Sequence, residues 1–392
     1  MASALANVGN SVVGEPSPLL RSHMPELDSI RGIAILSVLF YHGFAWSVAA
    51  NAFTGWQRWA VATTTPGWLG VNLFFVLSGF LISGILLDTR TKPHYYRGFY
   101  VRRALRILPL YYLVLVALLV THTAKTAFVA LSCIYLANMT WMFGVPADYG
   151  VLWSLAVEEH FYLVWPAVLR RLSAKRVAAL AVTLVIVNPV VRYSLAEFGI
   201  PAKGVTWGEI DGLACGALIA AVLRMRHWSR RQFAWFCTAL VAFGLVMAII
   251  VADCGWMTRR SIGGIALQET PFNIAFAGFL GYALLLGASA SSRYVRLTVL
   301  QFFGDTSYCL YLIHLLVFTL YDRVWAQWFA ANYKTSFSLL CLRFVAVLGC
   351  ASALAAISKR WFEDPFLRLK SKFASKNEPH PALGVTAAAN GD

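Results

Sequence analysis

The feature that most constrains the fold of this chain is a series of apolar stretches, each of membrane-spanning length, along nearly the whole sequence. A transmembrane helix needs about 20 predominantly apolar residues, and these stretches run to about 17 to 22. Apolar residues make up 59% of the 392 and charged residues only 13%, which is more apolar surface than a soluble core can bury. The pattern predicts an all-α polytopic membrane protein. Eleven candidate spans lie at about 29–50, 67–87, 104–122, 125–143, 153–169, 177–191, 206–223, 232–251, 272–291, 299–320 and 337–357.

The basic residues predict the topology and remove one candidate span. Arginine and lysine crowd four connections, at 88–106, 170–176, 224–231 and beyond 358, and the positive-inside rule places such connections in the cytoplasm. Two cytoplasmic positions are separated by an even number of crossings, yet three candidates lie between Arg106 and Arg170. We expect the stretch 125–143 not to span but to be re-entrant or interfacial. The prediction is about ten transmembrane helices in the inner (plasma) membrane, with both termini cytoplasmic.

The formal net charge of +15 does not indicate a nucleic-acid-binding protein. The charge is spread over several loops of one membrane face, with no recognition fold to organise it, and anionic membrane lipids are a sufficient partner. The seven cysteines show no metal-binding spacing, so we predict no metal site. We expect a cytoplasmic N-terminal segment over 1–28, a membrane domain over 29–369 and a disordered cytoplasmic tail over 370–392.

Arg31 and His42 stand out within the first apolar stretch. They are eleven residues apart, which is about three helical turns plus 20°, so they share a helix face about 16 Å apart along the axis. If Arg31 marks the membrane edge, His42 lies beyond mid-depth, where an ionisable side chain is costly unless it faces a protein cavity. A functional histidine and a structural one that hydrogen-bonds a neighbouring helix are equally good interpretations of this spacing.

The predicted topology sorts the other embedded polar residues by depth. At about 1.5 Å per residue, one group lies in the outer half: Glu158, Glu159, Glu209, Asp211 and Arg343, which enter from outside, and His314, which falls at a similar level near the end of its span. A second group lies at the inner edge: Arg31, Arg103, Arg106 and Asp305. We expect the outer group to converge on a polar cavity, with His42 between the two groups and Arg343 neutralising one of the outer carboxylates. For each carboxylate alone, a structural salt bridge or cap is at least as good an interpretation as chemistry.

Seven motifs in order carry a family resemblance. They are DSIRGIAILSVLFYH, GWLGVNLFFVLSGFLIS, FYVRRALRILPLYYL, VLWSLAVEEHFYLVWP, DGLACGALIA, FGDTSYCLYLIHL and WFEDPF. Between about 26 and 369 the chain closely resembles the acyltransferase 3 family of integral-membrane O-acyltransferases. The resemblance implies a ten-helix domain that takes an acyl group, usually acetyl, from cytoplasmic acyl-CoA and delivers it to a hydroxyl, commonly on an extracytoplasmic or lipid-linked carbohydrate.

The family motifs map onto individual residues. The arginine and histidine of the first span map to Arg31 and His42, and the paired arginines before the third span map to Arg103 and Arg106. The acidic SLxxE element maps to Ser154 and Glu158. Where the family often has glutamine after the paired glutamates, this chain has His160, to which we assign no role.

The chemistry of these side chains fits that mapping. A sugar hydroxyl becomes a good nucleophile only when a base takes its proton, and an imidazole suits that task. We predict His42 as the general base, with Glu158 as a second catalytic candidate, and direct transfer in preference to an acyl-histidine intermediate. Guanidinium groups match the phosphates of CoA, so Arg31, Arg103 and Arg106 are predicted to bind the donor; each arginine could alternatively be a membrane anchor.

The acceptor side is less specific. We predict that Asp211, Tyr311 and His314 bind the acceptor, although Tyr311 and His314 are equally well explained as a packed polar pair. An alternative function uses the same buried polar residues as the pathway of a transporter or flippase for a lipid-linked or acylated glycan. A scaffold derived from an inactive acyltransferase is disfavoured, because the arginines and His42 are all present. The oligomeric state does not follow from the sequence.

Overall fold

The computed structural model of the protein describes residues 19–21, 23–49, 51–225, 228–258, 261–328 and 333–369. Within these ranges every regular element is helical and no strand occurs, which confirms the all-α prediction. The predicted disordered tail at 370–392 and most of the predicted N-terminal segment lie outside the described residues.

Fifteen α-helices follow one another within the described part of the chain. They are α1 (Pro25–Phe40), α2 (Gly55–Ala62), α3 (Leu69–Thr89), α4 (Tyr95–Val120), α5 (Thr126–Cys133), α6 (Leu152–Arg171), α7 (Ala174–Glu197), α8 (Ile210–Met225), α9 (Arg230–Asp253), α10 (Ile262–Leu267), α11 (Thr270–Gly287), α12 (Thr298–Asp305), α13 (Ser307–Trp328), α14 (Phe337–Ser358) and α15 (Asp364–Arg368). Single π-helical turns follow α1, at Tyr41–Ala45, and α14, at Lys359–Glu363.

The predicted number of spans is approximately right. Among the described residues, seven helical segments are long and apolar enough to cross a membrane, and α12 with α13, bent by 74° at their junction, forms an eighth. Helix α6 carries two glutamates and two arginines, and α8 has only 16 residues. Neither is among the seven or eight candidate spans, so the predicted ten is an approximate count.

The stretch 125–143 does not form a spanning helix, as predicted. It contains the eight-residue α5, a turn and a short 3₁₀ helix, Thr140–Phe143. Two tyrosines of α4 bind the end of α5: the Tyr111 hydroxyl donates to the Ser132 carbonyl at 2.7 Å, and the Tyr112 hydroxyl to the Cys133 carbonyl at 2.9 Å. The chain is therefore folded back against α4 and returns to the same end of the bundle.

Helices α3 and α8 pack with their backbones in close contact. A Cβ atom on Gly79 of α3 would lie 1.9 Å from the Leu213 carbonyl oxygen of α8, and one on Gly216 would lie 1.9 Å from the Val76 carbonyl oxygen. Small residues permit such backbone contact between membrane helices, where packing rather than the hydrophobic effect drives association. Gly79, the second glycine of the GVNLFFVLSGF motif, thus has a packing role.

All four basic connections lie at one end of the bundle, which we call the basic end. The Arg90 guanidinium donates to the Leu172 carbonyl at 3.0 Å, joining the α3–α4 and α6–α7 connections. Arg224, at the end of α8, forms an ion pair with Asp88 at 2.6 Å. Arg106 lies within electrostatic range of Glu363, which follows α14. This is the clustering that the positive-inside argument requires.

Candidate active site

His42 lies in the single π-helical turn that ends the first membrane helix. The turn is closed by the backbone N–H of Trp46, which donates to the Tyr41 carbonyl at 2.8 Å. Single π-helical turns inside α-helices often occur at functional sites. Here Nδ1 of His42 lies 3.0 Å from the Val38 carbonyl oxygen and 3.3 Å from Nε2 of His314 on α13. The structure thus brings two of the predicted site residues into direct contact.

His314 is completely buried beneath His42. Its Nδ1 lies 3.0 Å from the Leu310 carbonyl oxygen and 2.8 Å from that of Tyr311. The Tyr149 hydroxyl also holds this part of α13, because it donates to the Leu312 carbonyl at 2.7 Å and accepts from a backbone N–H one turn later at 3.0 Å. His314 is therefore fixed both by its own helix and by the connection that precedes α6.

A polar cavity of about 260 Å³ opens beside His42 at the end of the bundle opposite the basic end. We call it the outer cavity. Its walls include His42, Trp46, Ser47, Asp322, Tyr333 and Arg343. His314 is not among the residues that line it, so of the two histidines only His42 meets the cavity.

Arg343 organises the wall of the outer cavity. Its guanidinium donates to both carboxylate oxygens of Asp322, at 2.6 and 2.8 Å, and to the Ser47 hydroxyl at 3.1 Å. It also lies over the rings of Phe318 and Tyr333, at 4.3 and 4.4 Å from their centroids. The expectation that Arg343 neutralises Glu158, Glu159, Glu209 or Asp211 is wrong, because its partner is Asp322, close to the far end of α13.

A line of polar side chains runs from His314 towards the basic end; we call it the polar column. The Tyr311 ring centroid lies 5.9 Å from that of His314, and the Tyr311 hydroxyl is hydrogen-bonded to the Ser154 hydroxyl of α6. Glu158 and Tyr162 follow at successive turns of α6, and residues four apart share a helix face. The Tyr162 hydroxyl donates to Oε2 of Glu158 at 2.9 Å and is also hydrogen-bonded to Ser78.

The polar column ends at the predicted donor-binding arginines. The Arg103 guanidinium lies 4.6 Å from the Tyr162 ring centroid, and Arg106 lies within electrostatic range of both Arg31 and Arg103. Arg31 also donates to Asp28 at 2.7 Å. Neither Arg103 nor Arg106 forms a hydrogen bond or an ion pair with any residue that the structure describes, so their N–H groups are available to a ligand.

Glu158 lies nearer to these arginines than the predicted depths indicate. It interacts electrostatically with Arg103 and Arg31, and it makes no hydrogen bond to His42 among the described residues. The predicted convergence of Glu158 with the outer group is therefore not observed. The reason is the packing of α6, whose Glu158 faces Ser78 of α3 and Arg103 of α4. Whether Glu158 is catalytic stays a prediction.

Asp211 lies in a separate network. It is fully buried at the start of α8, where both of its carboxylate oxygens accept from Arg192, at 3.3 and 3.1 Å, and Oδ2 also accepts from Thr270 at 2.6 Å. Glu209 lines a neighbouring cavity of about 200 Å³ with Arg192. A carboxylate with this many protein donors has a structural explanation. The structure does not bring Asp211 to the outer cavity, and its acceptor-binding role stays a prediction.

Sequence reasoning missed Asp322, Ser47 and Tyr333 as cavity residues. The span predicted at 299–320 ends before Asp322, whereas in the structure α13 continues to Trp328 and carries this carboxylate. The sequence signal that could have indicated Asp322 as a cavity residue is that it is a lone acidic residue eight positions after His314. Within the described residues, no group of three or more histidine, cysteine, aspartate or glutamate side chains is placed to hold a metal ion.

Comparison with known sequences gives the family. The family model described as "Acyltransferase domain" matches residues 24–356, a range that contains His42, the three arginines at the basic end and the polar column. The chain belongs to the acyltransferase 3 family. The match contains the first six of the seven motifs, and it confirms both the family resemblance and the assignment to the acyltransferases. No solved structure matches the chain.

Curated relatives of this acyltransferase cover parts of it. A Bacillus subtilis protein named "Putative peptidoglycan O-acetyltransferase" is 29% identical over 76% of this chain and 49% of its own length. Peptidoglycan O-acetyltransferase of Listeria monocytogenes is 30% identical over 38% of this chain and 24% of its own length. An O-acetyltransferase of Staphylococcus aureus is 31% identical over 38% of this chain and 25% of its own length. The chain spans half or less of the length of these relatives.

Proposed function

We propose that this acyltransferase moves an acetyl group from cytoplasmic acetyl-CoA to a hydroxyl of a carbohydrate or lipid-linked glycan, with His42 as the general base. One observation carries the proposal. His42 lies where two polar regions of the bundle meet: the outer cavity on one side, and on the other the polar column that leads to three arginines. A buried base between a donor region and an acceptor region is the arrangement that acyl transfer across a membrane requires.

The basic end supplies the donor site in this proposal. CoA carries a pyrophosphate and a 3′-phosphate, and guanidinium groups bind such oxygens in bidentate, charge-assisted hydrogen bonds. Arg103 and Arg106 have no hydrogen-bond partner among the described residues, and Arg106 lies within electrostatic range of both Arg31 and Arg103. Arg31 and Arg103 both repel Arg106 electrostatically, so a polyphosphate relieves that repulsion as it binds.

The pantetheine arm then lies along the polar column. Ser154, Glu158 and Tyr162 occupy one face of α6 over about 12 Å, and they connect the level of Arg103 with that of Tyr311 and His314. An arm placed there is shielded from water and directs the thioester towards His42. Glu158, bound to Tyr162, would position the donor in this arrangement.

The proposed chemistry is direct transfer. Nε2 of His42 takes the proton of the acceptor hydroxyl, and the oxygen attacks the thioester carbonyl as the C–S bond breaks. The imidazolium returns the proton to the departing CoA thiolate, so the products are the ester and free CoA. Proton transfer of this kind is worth about 10²–10⁴ in rate.

The outer cavity is the proposed acceptor site. Aromatic side chains and paired charges are a combination that suits a sugar, whose ring faces pack on aromatic groups while its hydroxyls hydrogen-bond. Trp46 is 68% exposed at the cavity, and Tyr333 and Arg343 face it. The names of the relatives make peptidoglycan the first glycan to test. In this proposal the basic end faces the cytoplasm, both termini are cytoplasmic, and the protein lies in the plasma membrane.

The test is turnover in liposomes with all protein molecules in one orientation. Acetyl-CoA labelled in the acetyl group is supplied at the basic end, and a panel of peptidoglycan fragments and glycolipids at the opposite end. We expect labelled ester on an acceptor and stoichiometric release of CoA, both lost in His42→Ala. Movement of glycolipid without acetyl-CoA consumption would instead indicate a transporter. Transfer that requires both substrates at the same end would contradict the proposed route through the bundle.

A further inference from the structure

His314 has a hydrogen-bond pattern that fixes the position of its proton. The two groups nearest Nδ1 are the carbonyl oxygens of Leu310 and Tyr311, at 3.0 and 2.8 Å. Carbonyl oxygens only accept hydrogen bonds, so Nδ1 of His314 must be the donor. A neutral imidazole carries one N–H. Nε2 of His314 is then a bare acceptor, and it faces Nδ1 of His42 at 3.3 Å.

The same reasoning applies to His42. Its Nδ1 has two neighbours, the Val38 carbonyl oxygen at 3.0 Å and Nε2 of His314 at 3.3 Å, and both are acceptors. Nδ1 of His42 therefore carries the proton, shared between them. The other ring nitrogen, Nε2, is left with its lone pair on the side of the ring away from His314, and His42 lines the outer cavity.

A charged His314 does not fit these surroundings. A second proton on His314 would sit on Nε2, which faces Nδ1 of His42. Because the Val38 carbonyl already requires a hydrogen on that Nδ1, two hydrogens would then point at each other. His314 is fully buried, and no carboxylate forms a hydrogen bond or an ion pair with it among the described residues. An imidazolium without an anion is costly in such a place.

We propose that His314 is a positioning residue that holds His42 in the Nδ1–H tautomer and so presents Nε2 as the base. This inference rests on the proposed function, and it replaces the predicted role of His314 in acceptor binding. When His42 takes a proton and becomes imidazolium, the lone pair on Nε2 of His314 still accepts from Nδ1 and stabilises the charge. The third member of a catalytic triad orients its histidine in the same way.

Two substitutions separate this role from a packing role. His314→Leu keeps a branched side chain of similar bulk but removes the acceptor, whereas His314→Gln can place a carbonyl oxygen near the position of Nε2. We expect His314→Leu to lower kcat by about 10²–10⁴-fold, the range for loss of a correctly poised base. The KM for the glycan and the Kd for an acyl-CoA analogue should stay within about twofold, and His314→Gln should recover at least tenfold of the loss.

The matched control is His160→Leu. His160 is an embedded histidine whose Nδ1 is hydrogen-bonded to the Thr206 hydroxyl at 2.6 Å, and it does not line the outer cavity. It should keep kcat within about threefold of wild type. The positioning role is wrong if His314→Leu keeps a kcat near that of wild type. It is also wrong if His314→Leu is folded but His314→Gln has no higher kcat, or if the loss appears in the KM for the glycan.

Nitrogen NMR tests the inference without turnover. In protein with ¹⁵N-labelled histidine, the resonances that disappear in His42→Gln belong to His42. We expect its Nδ1 to have the shift of a protonated ring nitrogen and its Nε2 that of a bare one, and His314→Leu to remove this preference. The reverse assignment in wild type would overturn the inference. A wild-type protein with the expected tautomer but no acetyl transfer would instead contradict the proposed function alone.

Discussion

Arg106→Ala should weaken binding of acyl-CoA without destabilising the protein. Arg106 forms no hydrogen bond or ion pair with the described residues and lies beside Arg31 and Arg103. Its removal therefore breaks no described hydrogen bond or ion pair, and the repulsion by Arg31 and Arg103 that it relieves is larger than the lost attraction to Glu363. A charge-assisted hydrogen bond to a phosphate is worth about 1.5–3 kcal/mol, and every 1.4 kcal/mol is tenfold in Kd. The expected rise in Kd is about 10- to 150-fold.

The assay is calorimetric titration of a thioether analogue of acetyl-CoA into detergent-purified protein. Arg106→Lys should give an intermediate Kd, because it keeps the charge but loses the bidentate fork. The matched control is Arg102→Ala, one turn away on the same helix, where the guanidinium folds back to Gly98; its Kd should change by less than threefold. Equal affinities for Arg106→Ala and wild type would refute the reasoning and leave Arg106 as a membrane anchor.

Three further predictions concern packing, charge and topology. Gly79→Ala places a Cβ 1.9 Å from a carbonyl oxygen of α8 and should lower the stability by about 1–3 kcal/mol. Gly349→Ala, whose Cβ meets nothing within 4 Å, should leave the stability unchanged. Thermal unfolding in detergent measures both variants. Asp322→Leu leaves the Arg343 guanidinium buried without its carboxylate, so it should destabilise more than the double variant Asp322→Leu/Arg343→Met does; similar melting temperatures for the two variants would contradict this. A cysteine at 148 should react with impermeant reagents from the side opposite one at 97, and reaction from the same side would overturn the non-spanning assignment of 125–143.

The helical fold and the approximate positions of the spans followed from hydropathy and charge, because a bilayer admits few alternatives. The same argument excluded 125–143 from the membrane spans, and in the structure this segment contains α5 and a turn. What it could not give was rotation about each helix axis. Depth along the axis placed Glu158 and Asp211 in one outer group, whereas helix rotation turns Glu158 towards the arginines and Asp211 towards Arg192.

The contact between His42 and His314 could not be predicted for a related reason. It depends on the π-helical turn at Tyr41–Ala45, which adds one residue to a helical turn and changes the direction of the side chains. A regular α-helix was the only pattern that the apolar periodicity indicated. The clustering of Arg31, Arg103 and Arg106 was predictable, because all three lie at the same depth and short basic segments gather on one face.

The measurement that tests the central claim most directly is single-turnover acetyl transfer by His42→Gln with acetyl-CoA already bound. Glutamine keeps hydrogen-bonding capacity at this position but cannot take up a proton. The account predicts that the acyl-CoA Kd stays within about twofold of wild type while the transfer rate falls by at least about 10²-fold. Transfer at a rate close to that of wild type, with the acetyl group reaching the same acceptor hydroxyl, would show that His42 is not the base.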